Sequence, residues 1–162
     1  MAAQLRFKKY TAEDFQQFHR IVCDDQHMQF ITGYGMSLAQ ASVKFAQILQ
    51  INAQDPMLGY FLIQLESNEY IGECKLVTYR EHADQFEIGY LLKKEYWRQG
   101  LGTQVCESML DLARQVNPSM DVIGLINPLN VGSRKILEKK GFQSFFIGQF
   151  EGVATEKLIL KR

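Results

Sequence analysis

The stretches QFEIGYLL (85–92) and DVIGLIN (121–127) are dense in strand-forming residues, and between them Leu101, Val105, Met109, Leu112 and Val116 recur at helical spacing. The order is strand, helix, strand, and the helix stops before Pro118, whose ring cannot continue it. Two strands joined by one crossover helix run parallel and cross right-handedly, so this unit fixes part of the sheet at once. Its strand-to-helix corner is YWRQGLGTQV (96–105), with Gly100 and Gly102 one residue apart where the helix begins.

A helix start leaves its first N–H groups unpaired and carries roughly half a positive charge, so an anion is stabilised there if the backbone can come close. Gly100 and Gly102 remove two Cβ atoms, Arg98 adds a cation, Gln99 and Thr103 add donors, and Leu101 still points inward. This is the composition of a pyrophosphate cradle; the alternative is a tight turn and nothing more. Other phosphate loops fit worse, since a dinucleotide fingerprint needs a glycine where Val105 stands and a P-loop needs G-K-[ST].

The remaining segments surround that unit. QLRFKK (4–9) alternates as a first strand, and Thr11 is placed to cap a helix carrying Phe15, Phe18 and Val22 on one face. HMQFITGYGM (27–36) has no helical period, and Ser37 with Gln40 forms a capping box before a second helix that turns Ala41, Phe45, Ile48 and Leu49 inward. GYFLIQLE (59–66) and EYIGECKLVTY (69–79) make a hairpin around Ser67 and Asn68. Asn130 caps a helix that ends at Gly141, and FQSFFIGQF and ATEKLILKR are two closing strands. The expected fold is a single α+β domain over residues 1–162, a mixed, mostly antiparallel sheet of about seven strands flanked by about four helices.

Lys plus Arg equals Asp plus Glu at 18 each, without a like-charge run, so neither nucleic acid nor an anionic membrane is an expected partner. The chain has no leader-like start and no run of about 18 apolar residues, which points to a cytoplasmic protein. Cys23, Cys74 and Cys106 are scattered and suggest reduced core thiols, with neither a disulfide framework nor a metal site. His19 and His82 are expected at the surface.

EIGYLLKKEYWRQGLGTQV, followed about 25 residues later by NPLNVGSRKILEKKGF, resembles the two acetyl-CoA-binding motifs of GNAT-type N-acetyltransferases, clearly so over residues 86–142. The Tyr-Trp pair before the glycines, EIGY and N-x-x-S are similar to the branch that contains the ribosomal-protein N-terminal acetyltransferases. The resemblance implies acetyl-CoA as cosubstrate, its pyrophosphate held at Arg98, Gln99, Gly100, Leu101, Gly102 and Thr103, chiefly by backbone N–H groups. It also implies a strand that bulges and splays before this loop, backbone of Leu91 and Leu92 against the pantetheine arm, and a further contact from Asn130. Two positions depart from the family: Trp97 stands where Gln or Arg is usual, and Leu137 where many members have a tyrosine that serves as acid.

An amine must lose a proton before it attacks, and α-amino and lysine groups hold theirs to about pH 8 and 10.4, so a general base is required. Glu87 is the first candidate, on the opposite face from Phe86 and Ile88; the alternative is a solvated or salt-bridged strand glutamate. Glu73 is the second candidate, with a structural role favoured. The resemblance supplies the Leu92 N–H as oxyanion donor and places Ser133 toward the sulfur as acid, although a serine there also suits a helix end. His27, Phe30 and Tyr34, with Gly33 and Gly35, have the mixed character of an acceptor-binding loop, and Asp24 and Asp25 either attract a cationic amine or are simply solvated. The expected activity is acetyl transfer from acetyl-CoA to a primary amine by direct attack in a ternary complex. The acceptor, small molecule or peptide, is left open among protein N-termini, amino acids, polyamines and other small amines, and a homodimer is left open too. The alternative is a non-catalytic acyl-CoA-binding module or sensor, which Leu137 favours.

Overall fold

A computed structural model describes residues 3–162. Its strands are β1 (Leu5–Lys9), β2 (Gly59–Leu65), β3 (Tyr70–Thr78), β4 (Gln85–Leu92), β5 (Asp121–Ile126), β6 (Gln143–Phe150) and β7 (Val153–Leu160). The α-helices are α1 (Phe15–Val22), α2 (Asp25–Met28), α3 (Leu38–Gln54), α4 (Leu101–Val116) and α5 (Val131–Lys139). One seven-stranded sheet runs in the order β1-β2-β3-β4-β5-β7-β6, antiparallel throughout except for the parallel pair β4 and β5. The crossover unit is thus present with α4 as its helix.

Local chemistry accounts for most element ends. Ser37 Oγ accepts from Gln40 N–H at 3.1 Å while the Gln40 side chain accepts from Ser37 N–H at 2.9 Å, the reciprocal pair expected before α3. Thr11 is followed by a 3-10 turn over Ala12–Asp14, and the Asp14 carboxylate takes both the Thr11 N–H and its hydroxyl. The segment 27–36 is not wholly irregular: Asp24 accepts from Gln26 and His27 N–H and starts the short α2, which makes five α-helices where about four were expected.

Each face of the sheet has its own core. Phe86, Ile88 and Leu92 of β4 lie with Cys74 and Leu76 of β3 against Leu101, Val105 and Met109 of α4. On the other face Leu62 and Tyr70 meet Phe18 of α1 and Phe45 of α3. Alternation therefore turns Glu73 and Lys75 of β3, and Glu87, Gly89 and Leu91 of β4, toward the side of α1 and α3.

The middle of the sheet opens. β4 pairs with β5 only from Gln85↔Asp121 to Ile88↔Gly124; beyond that β5 continues along β7 as Leu125↔Lys157 and Ile126↔Glu156, and β4 continues along β3 to Gly72↔Leu92. The splay implied by the resemblance is there, but the implied bulge is not: the register of β4 on β3 is continuous from Phe86 to Leu92. The opening lies on the other side, between β4 and β5, where α5 packs on β5. A Cβ at Gly124 would stand 2.9 Å from Leu137 Cδ1, so α5 lies close over β5 at the point of divergence.

Candidate active site

The two glycines of the corner do different jobs. Gly100 caps α4 with φ 77, and a Cβ on it would meet nothing within 4 Å. Left-handed backbone selects glycine here, and the space beside it is open. A Cβ on Gly102 would instead stand 3.1 Å from Ile136 Cδ1 and 3.3 Å from Tyr90 Cε2, so this glycine seats α4 against β4 and α5. The expectation that both clear one approach face is corrected: Gly100 does so, Gly102 makes room for a tyrosine. The first hydrogen bond of the helix is Gln104 N–H to Gly100 O at 3.3 Å, which leaves the N–H groups of Leu101, Gly102 and Thr103 ahead of it. Arg98 is exposed and itself at φ 62, a conformation that costs a non-glycine residue about 1 kcal/mol or more. The Gln99 amide is turned back onto Glu95 O at 2.9 Å. Trp97 Nε1 donates to Leu92 O at 2.8 Å, tying the loop to the last residue of β4. Open space, unpaired N–H groups and a cation suit a pyrophosphate at this corner.

A cleft lies between the diverging strands, lined by Phe30, Gly89, Tyr90, Asn130, Ser133 and Leu137 among others. Lys93 N–H is spent on Ile71 O at 2.9 Å, so strand alternation aims the N–H of Leu92 away from β3 and toward the opening, while Leu91 pairs back to Glu73. Asn130 Oδ1 caps α5 by accepting from Ser133 N–H at 3.2 Å. That leaves the Ser133 hydroxyl free of helix-end duty, and its neighbour is the Tyr90 hydroxyl at 3.3 Å. Burial pushes the Tyr90 phenol upward, against the Ser133 hydrogen bond and with Cys106.

The face toward α1 and α3 carries the charges. Glu87 forms an ion pair with Lys75 at 2.6 Å, so the salt-bridged alternative describes its resting state. The Lys75 stem lies over Gly89, where a Cβ would be 3.0 Å from Cε. Burial works against the Lys75 ammonium, and Tyr60 and Glu87 more than offset it, leaving its pKa above the ordinary lysine value. Glu73 is buried; desolvation, opposed by Lys44 and Lys75, pushes its carboxyl up to about 7.

The residues expected to meet the acceptor are divided. Phe30 lines the cleft; Tyr34 is 61% exposed; His27 is buried, with Nδ1 3.2 Å from Ile21 O, and belongs to the packing of α2 on α1. Asp24 is an N-cap and Asp25 accepts from Gly35 N–H at 2.7 Å, so both shape the loop. Cys74 and Cys106 are buried as expected, whereas Cys23 is exposed, just past the end of α1. Sequence reasoning passed over Tyr90 and Lys75; the signal for each was period two, which sets Tyr90 beside Ile88 and Leu92 and Lys75 beside Glu73.

A glycine-cornered helix beside a splayed mixed sheet is the arrangement that the sequence resemblance implies. The chain belongs to the GNAT acetyltransferases: the model described as Acetyltransferase (GNAT) domain matches residues 4–143. YkkB, an uncharacterized protein of Bacillus subtilis, is 28% identical over 76 residues, 46% of this chain and 44% of that one, so the match spans less than half of that relative. RimL, a ribosomal α-N-protein acetyltransferase solved with coenzyme A, is similar in structure with TM-score 0.80 and 13% identity over 99% of this chain and 95% of that one. Spermidine N-acetyltransferase from Vibrio cholerae, solved with CoA and spermine, gives TM-score 0.78 and 13% identity over 98% and 95%. At such identities the structural likeness establishes the fold. Among the described residues no helix is long and apolar enough to cross a membrane.

Proposed function

We propose that the protein moves the acetyl group of acetyl-CoA to a primary amine, by direct attack of the amine on the thioester with both substrates bound. The observation that carries this reading is the opening of β4 from β5 immediately beside the Gly100 corner. In it the N–H groups of Leu101, Gly102 and Thr103, with Arg98, hold the pyrophosphate, and the side chain of Asn130 holds the arm; the expected arm contacts from the backbone of Leu91 and Leu92 are given up, because Leu91 is spent on Glu73 and the Leu92 carbonyl on Trp97. Glu87 takes the proton of the incoming ammonium, which displaces Lys75 from it, and the Leu92 N–H stabilises the charge that builds on the carbonyl oxygen. Ser133 donates to the departing thiolate. Phe30 borders the acceptor's path. The acceptors of two structural relatives, a ribosomal protein N-terminus for RimL and spermidine for the Vibrio cholerae enzyme, make a peptide α-amine and a polyamine the first to try.

One observation favours the second reading, a sensor that binds acyl-CoA without turning it over: Leu137 lines the cleft and carries no proton. Both readings are tested by following release of coenzyme thiol from acetyl-CoA across N-terminal peptides, lysine peptides, polyamines, amino acids and aminoglycosides. Transfer requires release with at least one amine, and Glu87→Gln then lowers turnover by about 10²- to 10⁴-fold with coenzyme binding kept. Binding without release from any amine is the sensor's result.

A further inference from the structure

Among the side chains that line the cleft, only two carry a hydroxyl proton, Ser133 and Tyr90; the others are apolar or, as Asn127 and Asn130, amides. The two hydroxyls are 3.3 Å apart, although they come from α5 and β4 and are 43 residues apart in sequence. Tyr90 reaches this place because α4 has no side chain in its way. A Cβ at Gly102 would stand 3.3 Å from the ring and 3.5 Å from the hydroxyl. The phenol oxygen therefore lies against the first turn of α4 and beside the first turn of α5, where both helix starts favour negative charge.

We propose that Tyr90 is a positioning residue that acts through Ser133, restoring to it the proton that Ser133 gives to the leaving thiolate, so that a tyrosine on β4 supports the step for which α5, with Leu137, has no side chain. The proposal rests on the reading that Ser133 is the donor to sulfur. In the step, the bond from amine nitrogen to acetyl carbon forms and the carbon–sulfur bond breaks. Sulfur keeps the electron pair and takes the Ser133 proton, Ser133 takes that of Tyr90, and the phenolate is reprotonated from solvent. The nitrogen gives up two protons to solvent through Glu87, one from the ammonium before attack and one as the amide forms. The phenolate takes one back, so one proton is released per amide formed, as the overall reaction requires. Burial raises the affinity of Tyr90 for its proton, which keeps the donor loaded at neutral pH and the phenolate brief.

The test is Tyr90→Phe, which removes one oxygen and keeps the ring in place. Coenzyme A dissociation constants, turnover with the best amine, and the pKa of the bound coenzyme thiol, followed by the ultraviolet absorbance of its thiolate, are compared with wild type. The expected result is unchanged coenzyme affinity, turnover lower by about 100-fold, and a bound-thiol ionisation constant about tenfold weaker. Tyr90→Phe combined with Ser133→Ala should be no slower than the worse single variant, because the two act as one unit. Turnover within twofold of wild type with an unmoved thiol pKa overturns the proposal, and so does a loss confined to coenzyme affinity, which is what a packing role would give. If wild type itself releases no thiol with any amine, the transfer reading falls, and the thiol titration alone decides whether Tyr90 acts on the sulfur.

Discussion

Substituting alanine at Gly100 and at Gly102 in turn separates conformation from packing at the corner. At Gly100 an alanine must hold φ 77, which costs an L-residue about 1 to 2 kcal/mol, partly offset by the smaller entropy of its unfolded chain. A net loss of about 1 kcal/mol lowers Tm by about 2 to 4 °C in a domain of this size. The new methyl also projects into the open space where a pyrophosphate would rest. Displacing one charge-assisted N–H contact, at about 1.5 to 3 kcal/mol, weakens coenzyme A by roughly ten- to hundredfold. At Gly102 backbone strain is absent and helix propensity improves, while the methyl meets Ile136 at 3.1 Å and Tyr90 at 3.3 Å. Ile136 yields at the end of a flexible side chain, so stability should stay within about 1 kcal/mol, but Tyr90 is pushed and turnover falls more than coenzyme affinity. Thermal melts, coenzyme titration calorimetry and turnover measured on both variants decide the matter. Equal losses of coenzyme affinity at the two positions, or a Gly100→Ala protein as stable and as tight-binding as wild type, would refute the division of labour.

Two further outcomes concern stability. Glu73 binds its proton up to about pH 7 when folded, against an ordinary value of 4.5, so the folded state holds more protons than the unfolded one between those values. Its contribution is full below pH 4.5 and is lost as pH rises through 7, on the order of 3 kcal/mol; Glu73→Gln should flatten this part of the denaturation profile, and an unchanged slope would show that the carboxyl is not its source. Arg134 holds Glu156, which is 3% exposed, through Nε at 2.8 Å and Nη2 at 2.5 Å, and also donates to Pro128 O at 2.7 Å. Arg134→Met should cost roughly 3 to 5 kcal/mol in urea unfolding by leaving that carboxylate unpaired, and adding Glu156→Leu should recover most of it.

What could be seen in the sequence was whatever depends on period and local chemistry. The Gly100 corner, the parallel pair around α4, the Ser37 box and the Asn130 cap are all local, and all are present. The splay of β4 came from family likeness, and the close approach of Leu137 to Gly124 at the point of divergence joins segments whose meeting no periodicity announces. Side-chain partnerships were harder still. Glu87 stood out as a strand carboxylate, but its pairing with Lys75 depends on the register of β3 on β4, and His27 looked like a loop residue until α2 folded it onto α1. Tyr90 was passed over because a tyrosine beside Ile88 looks like core; only the missing Cβ of Gly102 reveals where its oxygen goes.

Trp97 is the single tryptophan of the chain, 40% exposed, with its indole N–H bound to the Leu92 carbonyl and Arg98 and the Gly100 corner next in sequence. The molecule thus carries its own optical reporter, one fluorophore placed where coenzyme would arrive and nowhere else. Quenching or a spectral shift on mixing with coenzyme A follows loading of the cleft in real time, with no label and no acceptor amine, and binding can be timed separately from chemistry.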